Sequence, residues 1–395
     1  MMGNLARRYS IAIVGGGLAG SALASLLARQ GRDVALFEKD RFPRDKLCGE
    51  FLSPESRAIL ADLGLEQAIA ESAPTIRAAR FSAPSGAWLS AQLPDAALGV
   101  SRLRLDEMLF DAATAAGAAT FSGHAVTDIE RSSRGSALEV RTGGEAVRVL
   151  SDVVVCTYGR RTKLDRTLGR AFMERRHPYV GFKRHHRPAK SPAGRRVDAD
   201  LEDHVEIHAF EGGYCGMSHV EDGQINVCML LEQRFLDGID RPDWPQIADA
   251  ISRANRRLAD RLDGLEPAED GMHAVAQVPF EIKGAFDDGV FYCGDAAGMI
   301  APLTGDGQAM ALESAHLLAD SLADLPRTPA PGQVEAAGRA WSRRWRMRYE
   351  PRLRLGRTLQ WLLFREGPLE MGVRAIGAVP GLADALARWT RSASH

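Results

Sequence analysis

The sequence has few cysteines, no long apolar run and almost no excess of either charge. Its 5 cysteines, in 395 residues, include no Cys-x-x-Cys pair, which excludes a disulfide scaffold and the common structural zinc patterns. No uncharged apolar stretch reaches about 18 residues, so we expect no transmembrane helix. The 50 basic and 51 acidic residues leave a net charge of −1, whereas nucleic-acid-binding domains are usually strongly basic.

The remaining composition is typical of a globular protein of two to three domains, with 45% apolar and 26% charged residues. The first apolar run, residues 11–14, is too short for the core of a secretory leader. This run and the unpaired cysteines predict a cytoplasmic protein with reduced thiols. No histidine has a spacing with acidic residues that indicates a metal site, so no metal is predicted.

A strand, a glycine turn, a helix and a second strand follow one another near the start of the chain. Residues 9–14 and 33–37 are apolar, strand-like runs, and apolar residues at helical spacing lie between them. The turn has the pattern Gly-x-Gly-x-x-Gly. Gly15 permits a tight turn, Gly17 lets the backbone approach a pyrophosphate, and Gly20 lets the helix pack closely on the strand.

This turn and the acidic residue after the second strand predict dinucleotide binding. The amides of Gly17, Leu18 and Ala19 begin the helix, where its dipole favours a negative pyrophosphate. Glu38, with Lys39 beside it, lies about 20 residues after the turn, where an acid bonds the ribose of the adenosine half. The fingerprint alone does not separate NAD from FAD.

A second glycine-rich turn lies three quarters along the chain. A buried strand at 290–293 leads into it and an apolar helix follows; its marker residues are Gly294, Asp295, Pro302, Gly305, Asp306 and Gly307. The turn resembles the second FAD fingerprint of the flavoprotein family that contains the aromatic hydroxylases and geranylgeranyl reductases. The resemblance implies that the aspartate of the Gly-Asp pair bonds the ribityl and phosphate region. It also implies that the helix N-terminus stabilises negative charge on reduced flavin.

Three features between the two turns fit the same family. Arg102 begins Arg-x-x-Leu-Asp, ending at Asp106, and resembles the family's FAD-contacting arginine. Val126 is expected to contact the adenine through its backbone. Gly159 belongs to a segment in which Tyr158 replaces the aspartate usual in the hydroxylases. That aspartate is associated with NADPH as well as FAD in the hydroxylases. Its replacement therefore leaves open whether NADPH or NADH serves as the transient reductant.

The segment after Glu38 narrows the resemblance to the geranylgeranyl reductase branch, whose signature is Pro-x-x-Lys-x-Cys-Gly. Here Lys46, Cys48 and Gly49 match it, and Arg44 precedes them. The resemblance places the segment near the flavin. Arg44 and Lys46 are therefore expected to stabilise anionic flavin or its phosphates. Cys48 is either a redox partner or a small wall of the pocket.

The predicted fold is α/β, with an FAD-binding Rossmann-like domain of three layers (ββα), an inserted antiparallel substrate sheet and a helical C-terminal tail. The boundaries are 1–170 and 283–328 for the FAD-binding parts, 171–282 for the sheet and 329–395 for the tail. Candidates for an apolar pocket on the sheet are Tyr214, Met217, Met229 and Phe280. The tail contains seven arginines between 343 and 357, which fits either a cap on the core or a helix on an anionic membrane.

These features predict an FAD-dependent oxidoreductase acting on a hydrophobic small molecule. Two reactions stay open: hydroxylation through a flavin hydroperoxide, and hydride transfer from reduced flavin to a C=C bond. The alternative is a flavoprotein helper that oxidises side chains of a partner protein during cofactor maturation. The Trp-x-Trp-x-Ile-Pro motif of the family's halogenases is missing, which argues against halogenation.

Overall fold

The computed structural model describes residues 5–132, 135–189, 201–239 and 242–377, together with residue 381. Within these residues the chain forms two sheets. The strands, in chain order, are β1 (Arg8–Val14), β2 (Val34–Glu38), β3 (Phe51–Leu52), β4 (Thr75–Ser82), β5 (Trp88–Gly99), β6 (Ala119–Ser122), β7 (Ala125–Ser132), β8 (Gly135–Thr142), β9 (Glu145–Cys156), β10 (Tyr179–Pro188), β11 (His204–Phe210), β12 (Gly213–His219), β13 (Ile225–Glu232), β14 (Leu265–Pro267), β15 (His273–Ala276), β16 (Phe286–Asp287) and β17 (Val290–Tyr292).

The helices accompany both sheets. They are α1 (Leu18–Arg29), α2 (Glu55–Asp62), α3 (Glu66–Ala70), α4 (Arg102–Ala115), α5 (Lys163–Thr167), α6 (Trp244–Ala254), α7 (Arg256–Leu262), α8 (Gly307–Ala323), α9 (Pro331–Leu363) and α10 (Glu366–Gly377). None of the helices within the described residues is long and apolar enough to cross a membrane.

The first sheet has the strand order β16-β17-β9-β1-β2-β6, with β8 and β7 joined onto β9. The pairs between β17, β9, β1, β2 and β6 are all parallel. Parallel strands are usually buried on both faces, which explains the continuous β-branched runs of β1 and β9. Val14, Cys156 and Tyr292 lie in one row at the carboxyl ends of adjacent strands, the edge at which α/β sheets bind ligands.

The second sheet has the order β14-β10-β13-β12-β11-β4-β5-β3, with β15 also on β10. Three of its strands, β3 to β5, come from residues 51–99, whereas the sequence places the whole sheet in 171–282. Its pairs are antiparallel except β4 with β11. This pairing joins segments far apart in the chain, so local periodicity does not indicate it.

The inner face of α9 closes the first sheet. Trp341 and Trp345 are fully buried, and the Trp341 indole donates a hydrogen bond to the Tyr292 carbonyl oxygen at 3.1 Å. A Cβ added at Gly298 would lie 2.6 Å from the Trp345 ring. This part of the tail therefore caps the core beside the second glycine turn.

We predict that Trp345→Ala lowers the free energy of unfolding by about 3–5 kcal/mol, because it leaves a cavity at this cap. The control is Met347→Ala, two residues further along α9, whose side chain is 76% exposed; it should change the free energy by at most about 0.5 kcal/mol. Urea unfolding measures both. Equal effects of the two variants would show that α9 does not cap the core.

Candidate functional site

The two glycine turns predicted from the sequence meet in space. Gly294 follows β17 and has a φ of 62°, and a Cβ added there would lie 2.9 Å from the Cβ of Ala19 in α1. Gly294 also accepts no larger side chain without strain, because its backbone is left-handed. The two glycine turns therefore lie side by side.

The glycines of the first turn are required by close backbone contacts. Gly15 has a φ of 112°, and a Cβ there would lie 2.5 Å from the Cα of Tyr158. A Cβ at Gly20 would lie 1.9 Å from the Gly15 carbonyl oxygen. Gly17 caps α1 without a side chain that bonds the first-turn amides. The amides of Leu18 and Ala19 are thus suited to an anionic ligand.

Two guanidinium groups lie beside this helix N-terminus. The Nη2 atoms of Arg44 and Arg102 are each 3.9 Å from the position that a Cβ of Gly17 would take. Both arginines bond the buried Asp106, Arg44 from Nη1 at 2.5 Å and Arg102 from Nε at 2.7 Å. Burial alone would lower the pKa of Arg102, but the Asp106 carboxylate outweighs it and raises that pKa. Two guanidinium groups, both bonded to Asp106, therefore lie where a pyrophosphate would bind.

Glu38 is buried beside the same turn. Its carboxylate accepts hydrogen bonds from the amides of Gly16 and Asp40, at 2.9 and 3.0 Å, and from Arg44 at 3.1 Å. Arg44 thus links Glu38 to Asp106, and the structure places it at the first glycine turn. Of the two groups that the sequence offers for Arg44, the flavin and its phosphates, this placement lies at the turn expected for the phosphates. The role of Arg44 there stays a prediction.

Three other residues that the sequence predicts for the site lie further from the first glycine turn. The ammonium groups of Lys39 and Lys46 are 3.8 and 3.5 Å from Asp40, and the Lys39 side chain is well exposed. Burial, and then the charge of Arg44, lower the pKa of Lys46. Val126 lies on β7 and packs against the core of the first sheet.

Basic groups also surround the second turn. The Lys283 ammonium donates to the carbonyl oxygens of Asp295, at 2.6 Å, and Arg160. Burial lowers the pKa of Lys283 to about 8, although Asp295 acts in the opposite direction. Burial likewise lowers the pKa of Arg160, which follows the left-handed Gly159. These contacts hold the two loops together around Asp295.

The loop before α8 has the geometry that its glycines predict. Pro302 begins a short 3-10 helix that ends at Gly305, whose φ is 70°. Asp306 then precedes Gly307, the first residue of α8, and accepts a hydrogen bond from Arg352 of α9 at 3.4 Å. The loop is thereby bound to the C-terminal region.

Cys48 joins the predicted Lys46–Gly49 segment to the start of α8. Its sulfur accepts hydrogen bonds from the Gln308 side chain at 3.2 Å and from the Glu50 amide at 3.4 Å. Gln308 is 5% exposed, and its Oε1 has no partner among the described residues. No sequence pattern predicted a role for Gln308. Its position in the first turn of the helix after the second fingerprint could have indicated one.

Glu50 is the second residue that the sequence motifs miss. It is fully buried with a φ of 56°. Its carboxylate accepts hydrogen bonds from the Arg102 amide at 2.7 Å, the Lys183 ammonium at 2.5 Å and His185 Nε2 at 2.7 Å. Burial disfavours the charges of Lys183 and His185, but the neighbouring carboxylates outweigh it and raise both pKa values. The segment after Cys48 is therefore fixed to the second sheet by charge.

The same cluster contains the one arrangement in the described residues that resembles a metal site. Single ligand atoms of Asp45, His185 and Glu269 lie within 4.8 Å of one another. The Lys183 ammonium, however, bonds Asp45 at 2.5 Å as well as Glu50. Since Asp45 is already paired with Lys183 and His185 with Glu50, we assign no metal to the cluster.

An apolar wall lies between the second sheet and α10. It includes Tyr214, Leu230, Phe280, Met299, Phe364 and Leu369. Met299 connects this wall to the second glycine turn. The other two sequence candidates, Met217 and Met229, pack instead with Trp244, Ile247 and Ile251 on the opposite face of the sheet. They are core residues, because neighbouring positions of a strand alternate between faces.

The residues fit a flavin dinucleotide. The first turn leaves room only for backbone, two guanidinium groups accompany its helix N-terminus, and the orphaned Gln308 oxygen at the second turn suits a ligand with an N–H donor. Residues 8–335 match the family described as FAD binding domain. The chain belongs to this FAD-binding family. The predicted fold class, cofactor and enzyme class are confirmed: this flavoprotein is an FAD-dependent oxidoreductase.

Curated and solved relatives agree with this assignment. A menaquinone reductase of Mycolicibacterium smegmatis is 30% identical over 330 residues, which cover 79% of this flavoprotein and 76% of the relative. The myxobacterial chondrochloren halogenase has a TM-score of 0.75 at 19% identity, covering 98% and 97% of the two chains. A geranylgeranyl bacteriochlorophyll reductase-like protein of Thermoplasma acidophilum has a TM-score of 0.71 at 17% identity, covering 98% and 92%.

We predict that Gly20→Ala reduces FAD affinity at least about tenfold, or about 1.4 kcal/mol, because the added methyl group collides with the Gly15 carbonyl. The matched control is Gly332→Ala, since a Cβ at Gly332 meets nothing within 4 Å. Titration of the flavin-free protein with FAD, followed by flavin fluorescence, measures both affinities. Unchanged affinity in Gly20→Ala would contradict the role of the first turn.

Proposed function

We propose that this flavoprotein reduces a C=C bond of an unsaturated, quinone-like lipophile, to which reduced FAD would deliver a hydride and the solvent a proton. The observation that carries the proposal is the apolar wall, which runs from the second sheet to Met299 at the second glycine turn. The 30% sequence identity with a menaquinone reductase, over 79% of the chain, supports this substrate class. The halogenase likeness, at 19% identity, reflects the shared fold.

The contacts among these residues support the following binding roles. Gly17, Leu18 and Ala19 would hold the pyrophosphate of FAD with their amides, and Arg44 and Arg102 would neutralise it. Glu38, Lys39 and Val126 would border the adenosine half, while Gly159, Asp295 and the loop from Pro302 to Gly307 would border the ribityl chain and ring. When bound, FAD supplies two-electron hydride chemistry. These assignments explain why Arg44 and Arg102 share one buried carboxylate.

The chain's own groups shape the reaction space on the other side of the ring. Phe280, Phe364 and Met299 exclude water, which favours an apolar substrate. Burial raises the pKa of Tyr214 well above its usual value, so its hydroxyl keeps its proton at neutral pH. Cys48 accepts bonds from Glu50 and Gln308, so we propose that it forms a fixed wall near Lys46 and Gly49 and takes no electrons itself.

The decisive experiment identifies the product. The FAD-loaded protein is reduced without oxygen, by NADPH, NADH or dithionite, and mixed with a short-chain menaquinone. We expect stoichiometric re-oxidation of the flavin and, after air oxidation of any quinol to the quinone, a product that still carries two added hydrogens by mass spectrometry. A parallel reaction with oxygen and bromide tests the other chemistries. A product that gains an oxygen atom or a bromine, in place of two hydrogens, would overturn the proposal.

We also predict that Phe280→Gln raises KM for the quinone about tenfold or more. The replacement removes apolar contact area and places an amide without a hydrogen-bond partner in the apolar wall. Phe235→Gln is the matched control, since Phe235 packs on the opposite face of the second sheet. Steady-state kinetics at equal FAD content separate KM from kcat. A similar KM in both variants would show that Phe280 does not contact the substrate.

A further inference from the structure

The C-terminal helices carry apolar side chains on a solvent-facing surface as well as on their buried face. Seven large apolar side chains are exposed among the described residues, and five of them belong to α9 and α10. We call these five the outer face: Met347, Leu355, Trp361, Leu362 and Met371. Trp361 is 54% exposed and Met371 72% exposed. Isolated exposed apolar residues are normal, but a cluster of them usually marks a contact surface.

Helical spacing separates the outer face of α9 from its capping face. Met347 and Trp361 are 14 residues apart, and Leu355 and Leu362 are seven residues apart. Because seven residues make nearly two helical turns, the two members of each pair project from the same side of α9. The buried residues of α9 lie on the other side of the helix; they are Val334, Gly338, Trp341, Trp345, Tyr349, Leu353, Gly356 and Gln360. Exposed apolar side chains thus lie opposite the buried side of α9, and packing against the core does not explain them.

The outer face is surrounded by positive charge. Its exposed arginines are Arg343, Arg344, Arg346, Arg354, Arg357, Arg365 and Arg374. The Arg365 guanidinium lies 3.5 Å from the centre of the Trp361 ring. Glu350 bonds Arg346 and Arg354, and Glu370 bonds Arg374, so arginines outnumber these acidic partners. Apolar side chains among arginines match the surface of an anionic bilayer.

The buried side of the same helices belongs to the apolar wall. Phe364, at the end of α9, has its ring centre 5.9 Å from that of Tyr179 and 6.2 Å from that of Tyr214. Leu369 and Val373 of α10 extend this contact. The junction of α9 and α10 therefore separates the outer face from the wall by the thickness of one helix.

We propose that the outer face of α9 and α10 docks on an anionic lipid bilayer, and that the junction of these helices admits a membrane-resident substrate to the apolar wall. The entry of substrate at this junction rests on the proposed function, whereas the docking on the bilayer does not. Arginines contact the lipid headgroups, and the side chains of Trp361, Leu355 and Met371 enter the upper acyl region. A second copy of this chain, or another protein, is the competing occupant.

The docking test is sedimentation of the full-length, FAD-loaded protein with vesicles. Vesicles of mixed phosphatidylcholine and phosphatidylglycerol should bind it, and vesicles of phosphatidylcholine alone should bind it at least about tenfold more weakly. High salt should release it, because screening weakens attraction between exposed charges. Equal sedimentation with both vesicle types, or none with either, would overturn the docking proposal.

Variants test whether the outer face makes this contact. Trp361→Ser with Leu355→Ser should weaken vesicle binding about tenfold or more, since both replacements remove apolar area that the bilayer would bury. Trp88→Ser with Leu150→Ser is the matched control, because these side chains are 41% and 40% exposed but lie on other elements. Equal loss in both double variants would refute the assignment. A vesicle-free dimer that only Trp361→Ser with Leu355→Ser dissociates would instead establish a self-association surface.

Kinetics separate this proposal from the proposed function. The outer-face variant should reduce a short-chain quinone in buffer at the wild-type rate and a long-chain quinone in vesicles at least about fivefold more slowly. Turnover of neither quinone by the wild-type protein would refute the proposed function, while vesicle binding would still decide the docking. Equal rates of the variant and the wild-type protein on the vesicle substrate would overturn the entry route.

Discussion

The buried carboxylate of Glu50 is the constraint on which the arrangement of the site depends. It joins three parts of the chain: the segment that carries Cys48, the start of α4 through the Arg102 amide, and β10 through Lys183 and His185. A fully buried carboxylate is costly unless it is paired, and removing one partner of a buried pair usually costs about 3–5 kcal/mol. Movement of the two sheets apart would leave these charges unpaired. The cluster therefore holds the two sheets in fixed positions on either side of Cys48.

The position of Cys48 follows from this constraint. Its carbonyl oxygen accepts a hydrogen bond from Asn226 of β13 at 3.0 Å, and its sulfur is held by Gln308 of α8. Cys48 thus touches the second sheet and the helix that follows the second glycine turn. A residue held from both sides can form a fixed wall of a reaction space, since neither side chain nor backbone can rotate away without losing hydrogen bonds.

Local sequence signals predicted the two glycine turns, because each consists of a strand, glycines and a helix that are adjacent in the chain. The same signals could not place β3 to β5 in the second sheet, since the pairing of β4 with β11 joins distant segments. They could not show that Arg44 pairs with Glu38 and Asp106, since these acids come from β2 and α4. Glu50 and Lys183 were missed for the same reason. A lysine within a strand gives no local sign that it is fully buried.

The proposed cofactor contacts and the proposed substrate contacts lie on different elements of the fold. The first glycine turn, α1 and α8 belong to the first sheet and its helices, whereas the apolar wall comes mainly from the second sheet and the C-terminal helices. Replacements in the wall can therefore change the substrate while the dinucleotide turn keeps its geometry. This separation explains how a reductase-like sequence and a halogenase share one fold at 19% identity and a TM-score of 0.75. It also makes the wall, and not the glycine turns, the part of this chain from which substrate choice has to be argued.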